Sequence, residues 1–226
     1  MKKIMVLLLV ISTVFFSCNF NELQIEEHSD IKKTDDMKEL YFKALASEDL
    51  TLNGASTTRG ANENIQPLTE EETLMNYVDN EFLRMFYIEI INIIENENYS
   101  IEETISELNN FVETLKYLPE NDFENIQRFA AIAGYTLEFY GKTECESNRG
   151  LGSWLRSKKS RIINASISAC CGALIGSAFG AGVSSYIPGI GTVTGAVGGA
   201  VAYGSYCAKS GWDKDAVYIW SGRISI

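Results

Sequence analysis

Apolar and polar positions alternate along this chain with the period of helices from residue 69 onward. Leu74, Tyr77, Val78, Phe82, Phe86, Ile90, Ile91 and Ile94 recur at helical spacing, and Thr69 with Glu72 supplies a capping box at their start. Ser100 with Glu103 repeats the device before Ile101, Ile105, Leu108, Phe111, Val112 and Leu115, and Pro119 closes that stretch. Asn121 with Glu124 opens a third stripe, Phe123, Ile126, Phe129, Ala130, Ala133 and Leu137, which Gly141 is expected to end. The loops between them are short, so the pattern predicts a small three-helix unit of antiparallel neighbours over residues 69 to 140.

The pattern then changes. Residues 162 to 208 contain no Asp, Glu, Lys, Arg or His, and their glycines fall four apart on two runs: Gly172, Gly176, Gly180, then Gly191, Gly195, Gly199. Residues four apart share a helix face, so each run presents bare backbone on which a second helix can lie closely. Forty-seven residues are too many for one spanning helix of about 20. Ser184 to Gly191, with Pro188 and Gly189 at its centre, reads as the turn of a helical hairpin. The expected fold is therefore mainly α: a flexible N-terminal tether (18 to 68), the three-helix unit, a basic linker (141 to 161), the glycine-stepped hairpin (162 to 208) and a C-terminal tail (209 to 226). Within the tether only Asp35 to Ala46, with Met37, Leu40, Tyr41 and Leu45 in phase, predicts a short helix. The tail, with Val217, Ile219 and Ser221 loosely alternating, predicts a short strand or an aromatic anchor through Tyr218 and Trp220.

Charge divides the chain in the same place. The net charge of -11 is the sum of -19 over residues 19 to 148, +6 over residues 149 to 226 and the two lysines at the start. Trp154, Arg156, Lys158, Lys159 and Arg161 stand just before the uncharged span, and Lys209 and Trp212 just after it. Tryptophan and cations flanking an apolar stretch are what a lipid boundary favours, so these residues are expected at a membrane interface. Large apolar residues are few in the span, and weak insertion would be offset by pairing of glycine faces. Membrane lipid and a second copy of the chain are thus the expected partners, with an unidentified protein partner for residues 69 to 140 and no nucleic acid.

Chemistry is sparse. His28 is the lone histidine, and the glutamates lie on helix starts and solvated faces, so no catalytic residue, cofactor or metal ligand is expected and the chain does not read as an enzyme. If the hairpin turns about Gly189, Cys171 and Cys207 lie at the same height, which predicts a possible disulfide across its open end; Cys170 could substitute for Cys171, and Cys145 could take whichever remains.

The first residues form a targeting segment. Lys2 and Lys3 precede an apolar run from Ile4 to Phe16, and Ser17 stands before Cys18. Val14-Phe15-Phe16-Ser17-Cys18 resembles the cleavage box of bacterial lipoprotein signal peptides, in the looser form found in Bacteroidetes, with Phe15 where leucine is usual. The resemblance implies removal of residues 1 to 17, acylation of Cys18 and residence in the cell envelope, by expectation at the outer membrane. The doubled glycine runs resemble those of outer-membrane lipoproteins of the 17 kDa surface-antigen type, and are similar to the membrane-active segments of class II bacteriocins. Three expectations follow: an envelope lipoprotein whose hairpin meets membrane or self-associates, a bacteriocin-like antibacterial protein shielded by its acidic unit, or a soluble helical domain that buries the hairpin.

Overall fold

The computed structural model describes residues 34–47, 67–147, 152–184 and 192–219. It is mainly α, with seven helices among those residues: α1 (Thr34–Ala46), α2 (Glu70–Tyr77), α3 (Glu81–Glu95), α4 (Ile101–Thr114), α5 (Glu120–Ser147), α6 (Gly152–Ser184) and α7 (Thr192–Lys214). The lipoprotein box, Cys18, His28 and the hairpin turn with Gly191 lie outside the described residues.

Local signals place the shorter helices. Thr69 and Ser100 each accept from the backbone N–H three residues on, while Glu72 and Glu103 accept from the cap backbone at 2.9 Å and 2.7 Å, so both capping boxes form in full. The first apolar stripe is cut in two. Val78 leaves the helix with extended backbone, and Asn80 restarts it by accepting from Phe82 N–H at 2.9 Å. Conversely, the helix expected to stop at Gly141 runs on to Ser147. Gly141 is there because α4 lies close: a Cβ would stand 3.0 Å from Ile101 Cδ1.

The domain picture shifts accordingly. Residues 141 to 161, expected as a linker, are helical over 141–147 and 152–161. The 18–68 tether contains α1, whose Met37, Tyr41 and Leu45 are buried. Thr136 donates its one hydroxyl hydrogen to Ile132 O at 2.8 Å, so in the 2.7 Å bond between Tyr41 Oη and Thr136 Oγ1 the tyrosine donates. That satisfied pair sits where α1 crosses α5, and makes α1 a wall of the body.

At the centre lie α6 and α7, antiparallel and in contact along their length. Helix α5 packs on α6, α2 and α3 cover its other parts, α1 spans α5 and α7, and α4 forms the outer layer on α5 and α3. The buried apolar residues of all seven helices belong to one core. The tail closes the body: Leu68 N–H donates to Ile219 O at 3.1 Å in an isolated antiparallel bridge, Tyr218 N–H donates to Ser168 Oγ at 2.8 Å, and Ile219 is fully buried. Two paired residues stand where a strand was expected, and Trp220 lies beyond the described residues.

Candidate functional site

The described glycines of both runs and Cys207 meet along the seam between α6 and α7. Four-residue steps bring Asn164, Ser168, Gly172, Gly176 and Gly180 to one face of α6, and Gly195, Gly199, Tyr203, Cys207 and Gly211 to one face of α7. The two faces meet in a single register. A Cβ on Gly176 would run into the carbonyl oxygen of Gly199, one on Gly180 into that of Gly195, and one on Gly172 would lie 2.8 Å from Tyr203 O. Gly211 continues the seam against Ser168 and Asn164, a position that the charge-free window had excluded. The faces expected to pair two copies of the chain thus close on each other within one copy.

That register corrects the cysteines. Each facing pair is centred between Ile187 and Pro188, not at Gly189, so Cys171 lies opposite Gly204 and is offset from Cys207 by three residues, about 4.5 Å along the helices. The expected Cys171–Cys207 disulfide is absent: Cys170, Cys171 and Cys207 are buried thiols, and Cys207 Sγ lies where a Cβ of residue 172 would be only 2.7 Å away. Cys170 donates its one hydrogen to Ile167 O, so the Cys171 thiol donates to Cys170, and that bond, then burial, pushes the Cys171 thiol well up. The Cys145 side chain lies outside the described residues.

Serines in this apolar core do not go unsatisfied. Ser166, Ser168 and Ser205 donate to the carbonyls of Ile162, Asn164 and Ala202 on their own helices at 2.7 to 3.1 Å. Burial pushes the Tyr203 phenol up to about 12, consistent with a side chain that packs over Gly176 and stacks on Phe179 at 5.9 Å.

Four of the residues expected at a lipid interface, Lys159, Arg161, Lys209 and Trp212, are engaged by groups of the protein. Lys159 donates to the backbone carbonyls of Glu97 and Tyr99, the latter at 2.7 Å, just past the C-terminus of α3. Lys209 donates to Ser47 O, just past the C-terminus of α1, and burial lowers its ammonium pKa despite the nearby Asp213. Each cation therefore meets the negative end of a helix dipole and carbonyls that lack helical partners. Trp212 stacks on Tyr140 with ring centroids 4.4 Å apart and planes 6° from parallel. The Arg161 guanidinium lies 5.2 Å from the Trp212 ring and its Nε 3.7 Å from Asp215 Oδ1. Lys158 is part-buried, and the side chains of Trp154 and Arg156 lie outside those described.

Other chemistry is thin among the described residues. No three His, Cys, Asp or Glu side chains converge as metal ligands would. An open groove of about 550 Å³ lies on α1 and α5, floored by Phe42 and Phe139, with Lys43 paired to Glu39 at its rim. Comparison with known proteins returned no match: no family model, curated protein or solved structure is significantly similar to the chain.

Proposed function

We propose that this chain is a non-enzymatic, lipid-anchored protein of the cell envelope whose helical body keeps the glycine hairpin as its own core. The observation that carries the reading is the seam. Backbone meets backbone between α6 and α7 from Asn164 to Gly180, and two of the cations that flank the span, Lys159 and Lys209, hold carbonyls just past the ends of α3 and α1. Neither lipid nor a second copy is needed to satisfy that surface. Anchoring then falls to acylated Cys18, and the charge division becomes the complementarity of an acidic shell for a basic-ended core.

Fractionation tests this. Wild-type protein expressed in an exporting host should sediment with membranes and take up a labelled fatty acid, whereas Cys18→Ala should appear in the soluble fraction as a monomer. A Cys18→Ala protein that stays in carbonate-washed membranes would mean that the hairpin is embedded, and the reading falls.

One observation favours a second reading. Lys158–Ala181 is 24 residues long and apolar enough to cross a bilayer, although most of it is buried in the body. A shell that released it would leave a membrane-active protein, the bacteriocin-like alternative. Dye leakage from anionic vesicles on adding intact protein at micromolar concentration would favour release over permanent burial.

A further inference from the structure

The outer face of α3 departs from the rest of the shell. Phe82, Met85 and Ile88 follow each other at three-residue steps and remain 52%, 62% and 47% exposed. An amphipathic helix normally turns such residues inward, and α3 already has a full inner set in Tyr87, Ile90, Ile91 and Ile94. The row is not isolated. Phe82 packs edge-on against Phe86 at 4.9 Å, and Phe86 lies 6.4 Å from Phe111 of α4, so an aromatic floor runs from α3 to α4.

Its surroundings are mainly acidic. Glu81, Glu89 and Glu95 are exposed on the same side of α3, four or seven residues from members of the row. From residue 70 to residue 114 there are twelve acids and one base, and that base, Arg84, has its Nε buried. Two copies meeting through this face would bring acid against acid, which excludes self-pairing. An anionic bilayer is disfavoured for the same reason.

We infer that the Phe82, Met85, Ile88 face of α3 docks a protein partner that presents a cationic amphipathic helix, its apolar side on the row and its lysines or arginines on Glu81, Glu89 and Glu95. Methionine suits the task, because its unbranched thioether adapts to different apolar surfaces. The glutamates supply steering and orientation more than affinity, and the buried row supplies most of the hold. This inference rests on the reading above only in requiring that α6 and α7 stay inside the body.

The test uses the full chain carrying Cys18→Ala and two probe peptides of the 15-residue length of α3, one patterned with leucine and lysine, the other with leucine and glutamate. The lysine peptide should bind, with binding weakened by salt, and the glutamate peptide should not. Met85→Ser with Ile88→Ser should weaken binding at least about tenfold, as should Glu81→Gln, Glu89→Gln and Glu95→Gln together, with circular dichroism unchanged. Glu39→Gln on α1 should change nothing. Absence of lysine-peptide binding, or binding indifferent to the serine variants, overturns the proposal. So does binding to phosphatidylcholine vesicles that the serine variants abolish, since the face would then be a membrane contact. None of these outcomes bears on the Cys18 fractionation.

Discussion

At the scale of the residue, the glycines of α6 and α7 separate into two kinds that the four-residue pattern alone does not distinguish. Gly176 and Gly199 face one another so closely that a methyl group on either would collide with a main-chain carbonyl, which cannot move without parting the helices. Gly198 has nothing within 4 Å of where its Cβ would stand. Gly176→Ala should therefore destabilise the protein by roughly 2 kcal/mol or more. Gly198→Ala should stabilise it by about 0.5 to 1 kcal/mol, because alanine replaces the poorest helix former short of proline at an unhindered site. Urea melts of the two variants beside wild type check both signs, and equal effects would remove the seam argument. The four-step spacing was readable in the sequence because helix geometry is local. Which glycine faced what was not, because that depends on a register set by residues 15 to 47 positions apart, from Gly180 with Gly195 to Asn164 with Gly211.

Among the elements, two helix starts were legible and other boundaries were not: Asn121, expected to open the third helix, lies inside α5, which begins at Glu120 just after Pro119. Thr69 and Ser100 act on residues three along, so their capping boxes could be found from the sequence directly. The break at Val78 to Asn80 was hidden because Val78 stays buried and keeps the apolar phase of the stripe across it. Gly141 was misread because a glycine that ends a helix and one that admits a neighbouring side chain look alike until Ile101 is in place. The ends of α3 and α1 are closed by lysines 60 and 162 residues away, beyond any local rule. Lys159→Met keeps the aliphatic stem and removes the donor, so it should cost about 1 kcal/mol. It should also speed amide exchange at the end of α3 and in residues 97 to 100, more than in α5. Uniform acceleration across the protein would show that Lys159 contributes only to global stability and does not hold that loop.

Across the whole molecule, one core unites the acidic shell and the basic-ended hairpin, and its tyrosines tie stability to pH. Burial raises the phenol pKa of Tyr41, Tyr87, Tyr140 and Tyr203 above the ordinary value of 10. The folded state holds these protons more tightly than the unfolded chain, which ionises first. Their contribution is thus complete below pH 10 and is lost as pH rises beyond it. Thermal melts at successive alkaline pH values should show a steepening fall in Tm above pH 10, with part of the phenolate absorbance of the eleven tyrosines appearing only on unfolding. Phenolate absorbance from all eleven in a folded protein would contradict the burial of these four rings. The mainly α class was legible from apolar periodicity. The wrapping was less so, since tryptophan and lysine beside an uncharged span suit a lipid boundary and a protein interior equally well until Tyr140, Ser47 and Tyr99 are seen to receive them.

The bridge between Leu68 and Ile219 makes residues 68 to 219 a circuit, entered and left through a doorway one hydrogen bond wide. A stretch of chain with that property can be carried as a loop of another protein without opening its interior. Only α1, which lies upstream of the doorway and packs on α5 and α7, would have to travel with it or be supplied from elsewhere. Seen in that way, the fold is a cassette whose two ends meet, with one stave, α1, laid on it from outside the circuit.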